Sequence, residues 1–160
     1  MPDPLLLELQ ETLHREMPIT QPMGVRAESW DEGRLAMSMP LDANRNHQFS
    51  AFAGSLSTLS TVVGWGSVYL LLRSRGLYGN VVIRRGEIKY REPVRHEHIV
   101  ARALSMDETD VGHFFDLLGS KGSSKLDVRV EVREGPVQYL RFAGSYVVQD
   151  VVERPGPAAR

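Results

Sequence analysis

Between residues 49 and 72 the chain runs for 24 positions without a charged side chain, and nothing else in the sequence restricts the fold so strongly. The run is long enough to span a bilayer. Ten of its residues, however, are Ser, Thr or Gly, among them Ser55, Ser57, Thr58, Ser60, Thr61, Gly64 and Gly66, which suits a helix enclosed in protein better than one facing lipid. In a helix drawn over residues 53–75, Leu56, Leu59, Val63 and Leu70 line one side while Val62, Trp65, Tyr69 and Leu72 line another, so apolar groups occupy most of the circumference. At 1.5 Å per residue this helix is about 35 Å long. The rest of the chain must wrap it.

The flanking segments supply strands. Residues 4–16 read as a short amphipathic helix through Leu5, Leu6, Leu9 and Leu13, closed before Pro18. Over residues 23–40, Val25 and Ala27 alternate with polar neighbours, Asp31-Glu32-Gly33 turns the chain, and Leu35, Met37 and Met39 alternate again, which predicts a hairpin. Residues 40–50 have no period and are rich in Asn, the signature of a loop with Asx turns. Arg73 sits at the negative end of the long helix, and Gly76 is placed to terminate it. Residues 80–93, 98–106, 126–133 and 137–152 are rich in β-branched or aromatic residues and read as strands. A short helix fits residues 110–119 with Asp110 as its N-cap.

One α+β domain over residues 1–152 is therefore expected, with 153–160 as a disordered tail. Its layout is an antiparallel β-sheet wrapped around one long central α-helix. That is the hotdog fold. Such a sheet leaves its edges open, so two subunits pairing edge to edge are expected, as a homodimer or a dimer of dimers. With 19 basic and 20 acidic residues, the chain has no global attraction for nucleic acid or anionic membrane. The absence of cysteine excludes disulfides, zinc-thiolate sites and thiol nucleophiles. The opening residues lack a basic signal-peptide region, so a cytoplasmic location is expected, with no membrane span.

The central residues carry a resemblance. Pro40-Leu41, Asn44-Arg45-Asn46-His47, Phe52-Ala53-Gly54-Ser55-Leu56, Gly64-Trp65-Gly66, Glu87-Ile88-Lys89-Tyr90 with Pro93-Val94, and Phe142-Ala143-Gly144-Ser145-Tyr146-Val147 together resemble the thioesterase-type domain at the C-terminal end of bacterial YiiD proteins. The similarity spans roughly residues 23–148. It implies a hotdog fold and acyl-thioester chemistry, with coenzyme A or phosphopantetheine entering as part of the substrate and no separate cofactor. Ala53 stands where that family usually has glycine. The acetyltransferase domain that precedes this domain in YiiD proteins has no counterpart in these residues, so no fused reaction is assumed.

Thioester hydrolysis needs donors for the charge that develops on the carbonyl oxygen and a group that directs water. The helix start at Gly54 and Ser55 offers free backbone N–H groups and a positive dipole end. Many hotdog thioesterases carry an acid one to two turns into this helix, whereas here residues 57–61 contain none. Water direction then falls to other groups. Asn46 either positions water or closes an Asx turn, His47 is either a base or a solvated loop residue, and Thr61 and Thr58 either face substrate or bond back to the helix. Glu87, in a segment that matches the family, is the first acid to consider. Phe52, Thr58 and Trp65 are expected to bind substrate, with Trp65 either a wall of an acyl tunnel or core packing, and Arg84, Arg85 and Lys89 either meet the phosphates of coenzyme A or of an acyl carrier protein or form a solvated outer sheet face. His96 and His98 would share a strand face, but they lack the spacing of a zinc helix. The leading expectation is an acyl-thioester hydrolase. A non-hydrolytic acyl-binding module and a hotdog lyase or hydratase are the alternatives.

Overall fold

The computed structural model describes residues 1–153. After helix α1 (Pro4–Glu16) and a 3-10 turn (Pro18–Thr20), strands β1 (Arg26–Asp31) and β2 (Arg34–Pro40) form the hairpin. A second 3-10 turn (Asp42–Asn44) leads into the long helix α2 (Ala53–Ser74). Then follow β3 (Tyr78–Tyr90), β4 (His98–Ala103), helix α3 (Glu108–Lys121), β5 (Ser124–Glu134) and β6 (Val137–Val152). The six strands form one sheet in the order β1-β2-β4-β5-β6-β3, and each neighbouring pair is antiparallel.

Alternation decides which side chains meet α2. On β5, Leu126, Val128, Val130 and Val132 are buried while Lys125, Asp127, Arg129 and Arg133 are exposed, as a half-buried strand requires. Leu140, Phe142, Tyr146 and Val148 of β6 and Leu35, Met37 and Met39 of β2 continue the buried layer. Within α2, Leu56, Leu59, Val62, Val63, Val68, Leu70 and Leu72 are buried. The serines that dilute its hydrophobicity are satisfied locally: Ser60 Oγ donates to Leu56 O and Ser67 Oγ to Val63 O, at 2.8 and 2.7 Å. The long helix, without charge until Arg73 in its last turn, is thus the filling of the sheet, in agreement with the sequence reading.

Helix ends follow known stereochemistry. Glu32 (φ 49°) and Gly33 (φ 75°) give the hairpin a turn with two left-handed residues, the twist that joins antiparallel strands best. At the end of α2, Gly76 has φ 69°, its N–H bonds Arg73 O at 3.0 Å, and Leu77 N bonds Leu72 O at 2.9 Å. This is the Schellman pairing, in which glycine bears the left-handed step. Helix α3 starts earlier than expected. Asp107, rather than Asp110, is its N-cap and accepts from Thr109 N and Asp110 N at 2.7 and 3.3 Å. β4 ends at Ala103 instead of 106, and β3 runs from Tyr78 to Tyr90 instead of 80–93. Past Tyr90, the N–H groups of Arg91 and Glu92 both turn to Tyr139 O, so the strand cannot continue. His96 lies before β4, edge-on to Tyr139, and does not share a strand face with His98. Of the expected tail, residues 154–160 lie outside the described residues.

α1 is held on α2 by one polar contact set. Glu8 accepts from Arg73 Nε and from Tyr69 OH, each at 2.6 Å, and Arg73 lies over the Tyr78 ring, 3.8 Å from its centre. The Arg73 hydrogen bond holds the Glu8 carboxyl below its usual range, with burial opposing and Tyr69 assisting. A depressed carboxylate contributes stability that is complete above its unfolded-state value and is lost as pH falls through the folded one. The melting temperature of the wild type should therefore fall more steeply below about pH 4.5 than that of Glu8→Gln. Parallel melting curves for the two proteins across that range would remove this contact from the acid response.

Candidate active site

The start of α2 is chemically open. Phe52 occupies its N-cap position and no side chain caps the first turn. The first intrahelical bond is Leu56 N to Phe52 O at 3.0 Å, so the N–H groups of Ala53, Gly54 and Ser55 precede the ladder. They sit at the positive end of a 22-residue helix. Backbone bonds fix this end in place: Phe52 N donates to Asn44 O at 2.7 Å and Ala51 N to Val94 O at 2.8 Å. Tyr90 OH adds a bond to Ala53 O at 3.1 Å. The Phe52 ring lies against Gly54 so closely that a Cβ at residue 54 would run into the ring edge. Glycine permits the close approach of the ring here and has no unusual φ.

Two depressions flank the helix start. One, of about 400 Å³, is bordered by Ile19, Met23, Phe52, Gly54, Ser55 and Thr58. The other, of about 310 Å³, lies toward the β3–β4 connection and is bordered by Asn46, Ala53, Leu56, Tyr90, Glu92 and Val94. Glu92 is exposed, and its carboxylate forms no ion pair among the described residues.

The expected site residues fall into distinct groups. Gly54, Thr58, Thr61 and Trp65 share a half-buried stripe of α2 spaced for one helical face. Thr58 Oγ1 bonds back to Gly54 O at 2.9 Å, and Thr61 offers its carbonyl to Tyr146 OH at 2.7 Å. Trp65 stacks on Tyr69 and donates its indole N–H to Val81 O at 3.1 Å. It stands about 15 Å along the axis from Ser55, and it ties α2 to β3 rather than bordering the helix start. Asn46 closes an Asx-type turn: Oδ1 accepts from Gln48 N and Ser50 N at 2.9 and 3.2 Å, and Nδ2 donates to Ser50 Oγ at 2.9 Å. Its oxygen is occupied, and only its second amide proton is left for a ligand. His47 is an exposed loop residue.

Glu87 is not brought to the helix start within this chain. The residues on either side, Ile88 and Gly86, pair with inward-facing Phe142 and Gly144, so Glu87 projects from the outer face. There it pairs with Arg85 at 2.9 Å. Lys89 shares that face, and Arg84 occupies the irregularity between Ile83 and Arg85. Two residues went unrecognised in the sequence. Glu92 follows the strand without any periodic signal. Asn44 is buried, donates Nδ2 to Met23 O and Pro40 O at 2.8 Å each, and among the described residues keeps Oδ1 without a partner beside the first depression.

A six-stranded antiparallel sheet closed around one helix, with an uncapped helix start between two depressions, defines a hotdog-fold protein of the thioesterase class. The chain belongs to the YiiD C-terminal family, whose model, described as "Putative thioesterase (yiiD_Cterm)", matches residues 6–150. Among solved structures, a protein of unknown function from Chlorobaculum tepidum is 29% identical with a TM-score of 0.87, covering 92% of this chain and 96% of that one. A Shewanella oneidensis protein described as a "putative thioesterase" is 27% identical with a TM-score of 0.82, covering 93% and 100%. A Pseudomonas aeruginosa protein with 22% identity and a TM-score of 0.74, covering 93% and 97%, shares the fold.

Proposed function

We propose that the protein hydrolyses acyl thioesters of coenzyme A or of a carrier-borne phosphopantetheine arm, with the start of α2 as the oxyanion site. The uncapped N–H groups of Gly54 and Ser55 at a helix N-terminus carry this reading, because they are fixed before the reaction and lie between two depressions. Water attacks the carbonyl carbon, and the C=O pair moves to the oxygen facing these donors. Glu92 takes the water proton. Collapse of the adduct breaks the C–S bond, and Glu92 returns the proton to the departing sulfur, leaving a free acid and a thiol. The spare amide proton of Asn46 orients the substrate carbonyl from the other side of the helix start.

Thiol release from a panel of acyl-CoA and acyl-carrier substrates tests the reading. Gly54→Ala should displace the exposed Phe52 ring and cut kcat/KM by about 10-fold or more, with little change in melting temperature, because the ring can move into solvent. Absence of thiol release with every substrate would leave a second reading, an acyl-thioester-binding module. One observation favours that module: no acid stands on the first two turns of α2, where Thr58 bonds back to its own helix.

The active unit in this proposal is a homodimer joined through β3. Among the described residues that strand has β6 on one side and no neighbour on the other; it runs for 13 residues and exposes Val82, Ile83 and Tyr90 at 43%, 38% and 45%. A long open edge that carries an exposed apolar segment is a template for another strand. Ile83→Lys should convert a dimer into a monomer by solution scattering. A wild type that is already monomeric at micromolar concentration would rule the dimer out.

A further inference from the structure

The outer face of the sheet carries its charges in an uneven pattern. Three of its acids are engaged: Glu87 by Arg85 at 2.9 Å, Asp127 by Lys125 at 3.9 Å, and Glu131 by Arg133 at 3.2 Å. Glu131 also accepts from Gln138 at 2.8 Å. Several cations of this face remain unpaired among the described residues, Arg102 among them, and three of these stand together. Lys89, Arg129 and Arg141 form no ion pair among the described residues, and all three border a single depression of about 520 Å³.

Strand register explains the shape. Across β3, β6 and β5 one row reads Glu87, Ala143, Arg129, and the next reads Lys89, Arg141, Glu131. Ala143, the smallest side chain of the six, forms the dip between longer neighbours. Lys89 stands directly opposite Arg141, a like-charge pairing that destabilises a sheet unless something compensates it. Glu131 stands opposite Arg141 on its other side but bonds Arg133 and Gln138, and Glu87 bonds Arg85, so neither carboxylate forms an ion pair with Lys89 or Arg141.

We propose that this depression is a site for the phosphate oxygens of a phosphorylated small molecule, held by Lys89, Arg129 and Arg141. Glu87 also borders the dip but is paired with Arg85, and two planar guanidinium groups and an ammonium around it match a multiply charged oxyanion better than a single carboxylate, which would neutralise only one of them. The site differs from the one expected in the sequence, since Arg85 is spent on Glu87 and Arg84 does not border the dip. It stands whether or not a thioester is cleaved at α2. It is also placed to serve that reaction: Tyr90, the residue after Lys89, projects from the opposite face and reaches Ala53 O, so only the end of β3 separates the phosphate site from the helix start.

The test is calorimetric titration of the full chain with inorganic pyrophosphate, adenosine 3′,5′-bisphosphate and 4′-phosphopantetheine at low ionic strength. Each of Arg129→Gln and Arg141→Gln should weaken binding about tenfold or more, and Ala143→Leu should weaken it by filling the dip. Lys125→Gln, on the same face but outside the depression, should not. Affinity should fall with added salt. Tightest binding of the bisphosphate assigns the nucleotide end of a coenzyme, tightest binding of phosphopantetheine a carrier-borne arm, and pyrophosphate alone a free phosphate. No binding of any of the three at millimolar concentration, or equal binding by wild type, Arg129→Gln and Arg141→Gln, overturns the proposal. Thioester hydrolysis is read separately on the same proteins, so loss of one activity leaves the other assignable.

Discussion

Glu92→Gln should lower the turnover of acyl-thioester hydrolysis by about 100-fold while changing KM little, because it removes a proton acceptor without altering the shape of the depression. Glu92 borders the same depression as Ala53 and Asn46. Glu87 faces away from it and is tied to Arg85. The companion variant Glu87→Gln should therefore retain most of the turnover. Measured together, the two variants discriminate between the carboxylates. If Glu87→Gln fell 100-fold and Glu92→Gln did not, the reaction would belong to the outer face and the assignment at the helix start would be abandoned. The substitution is isosteric and exposed, so circular dichroism and melting temperature should be unchanged and a kinetic loss can be read as chemistry.

A second large effect is expected in the core. Gly64 packs against the ring of Tyr146, and a methyl group at residue 64 would collide with the hydroxyl and the ring edge together. The ring has nowhere to go. Tyr146 is fully buried, its hydroxyl donates to Thr61 O, and burial drives its phenol well above the ordinary tyrosine value. Gly64→Ala should thus strain the contact between α2 and β6 and break a buried hydrogen bond, costing roughly 3 kcal/mol. For a domain of this length that is a drop of about 6–12 °C in melting temperature. Gly119→Ala in α3, where nothing lies near the added methyl, should be neutral or slightly stabilising. Equal melting temperatures for both variants would mean that β6 can slide away from the helix.

The fold was legible because its main constraint is one-dimensional. A run of 24 uncharged residues needs a cover, and the alternating segments after it provide one. Strand parity was equally readable for β5, where every second residue is apolar. The same parity puts Glu87 outside once Ile88 and Tyr90 are placed inside, yet a segment match drew attention to Glu87 ahead of its period. Glu92 escaped notice for the opposite reason: it lies where β3 stops, and that stop depends on Tyr139 O receiving two N–H groups from a distant part of the chain. Asn44 and Asn46 look alike in sequence, and only their partners distinguish a saturated amide oxygen from an unpaired one.

The central helix carries no charge before Arg73 in its last turn, and this bears on how activity will respond to pH. Between residues 49 and 72 the only ionisable side chain is Tyr69, and burial and Glu8 raise it above the ordinary tyrosine value. The element to which we assign the oxyanion donors is therefore silent to titration from mildly acidic to mildly alkaline solution. Its dipole and its N–H groups are the same at pH 5 as at pH 9. Any limb of a pH–rate profile in that interval belongs to the loops and strand ends around the helix or to the substrate, so each limb can be assigned by substituting peripheral residues one at a time without disturbing the core.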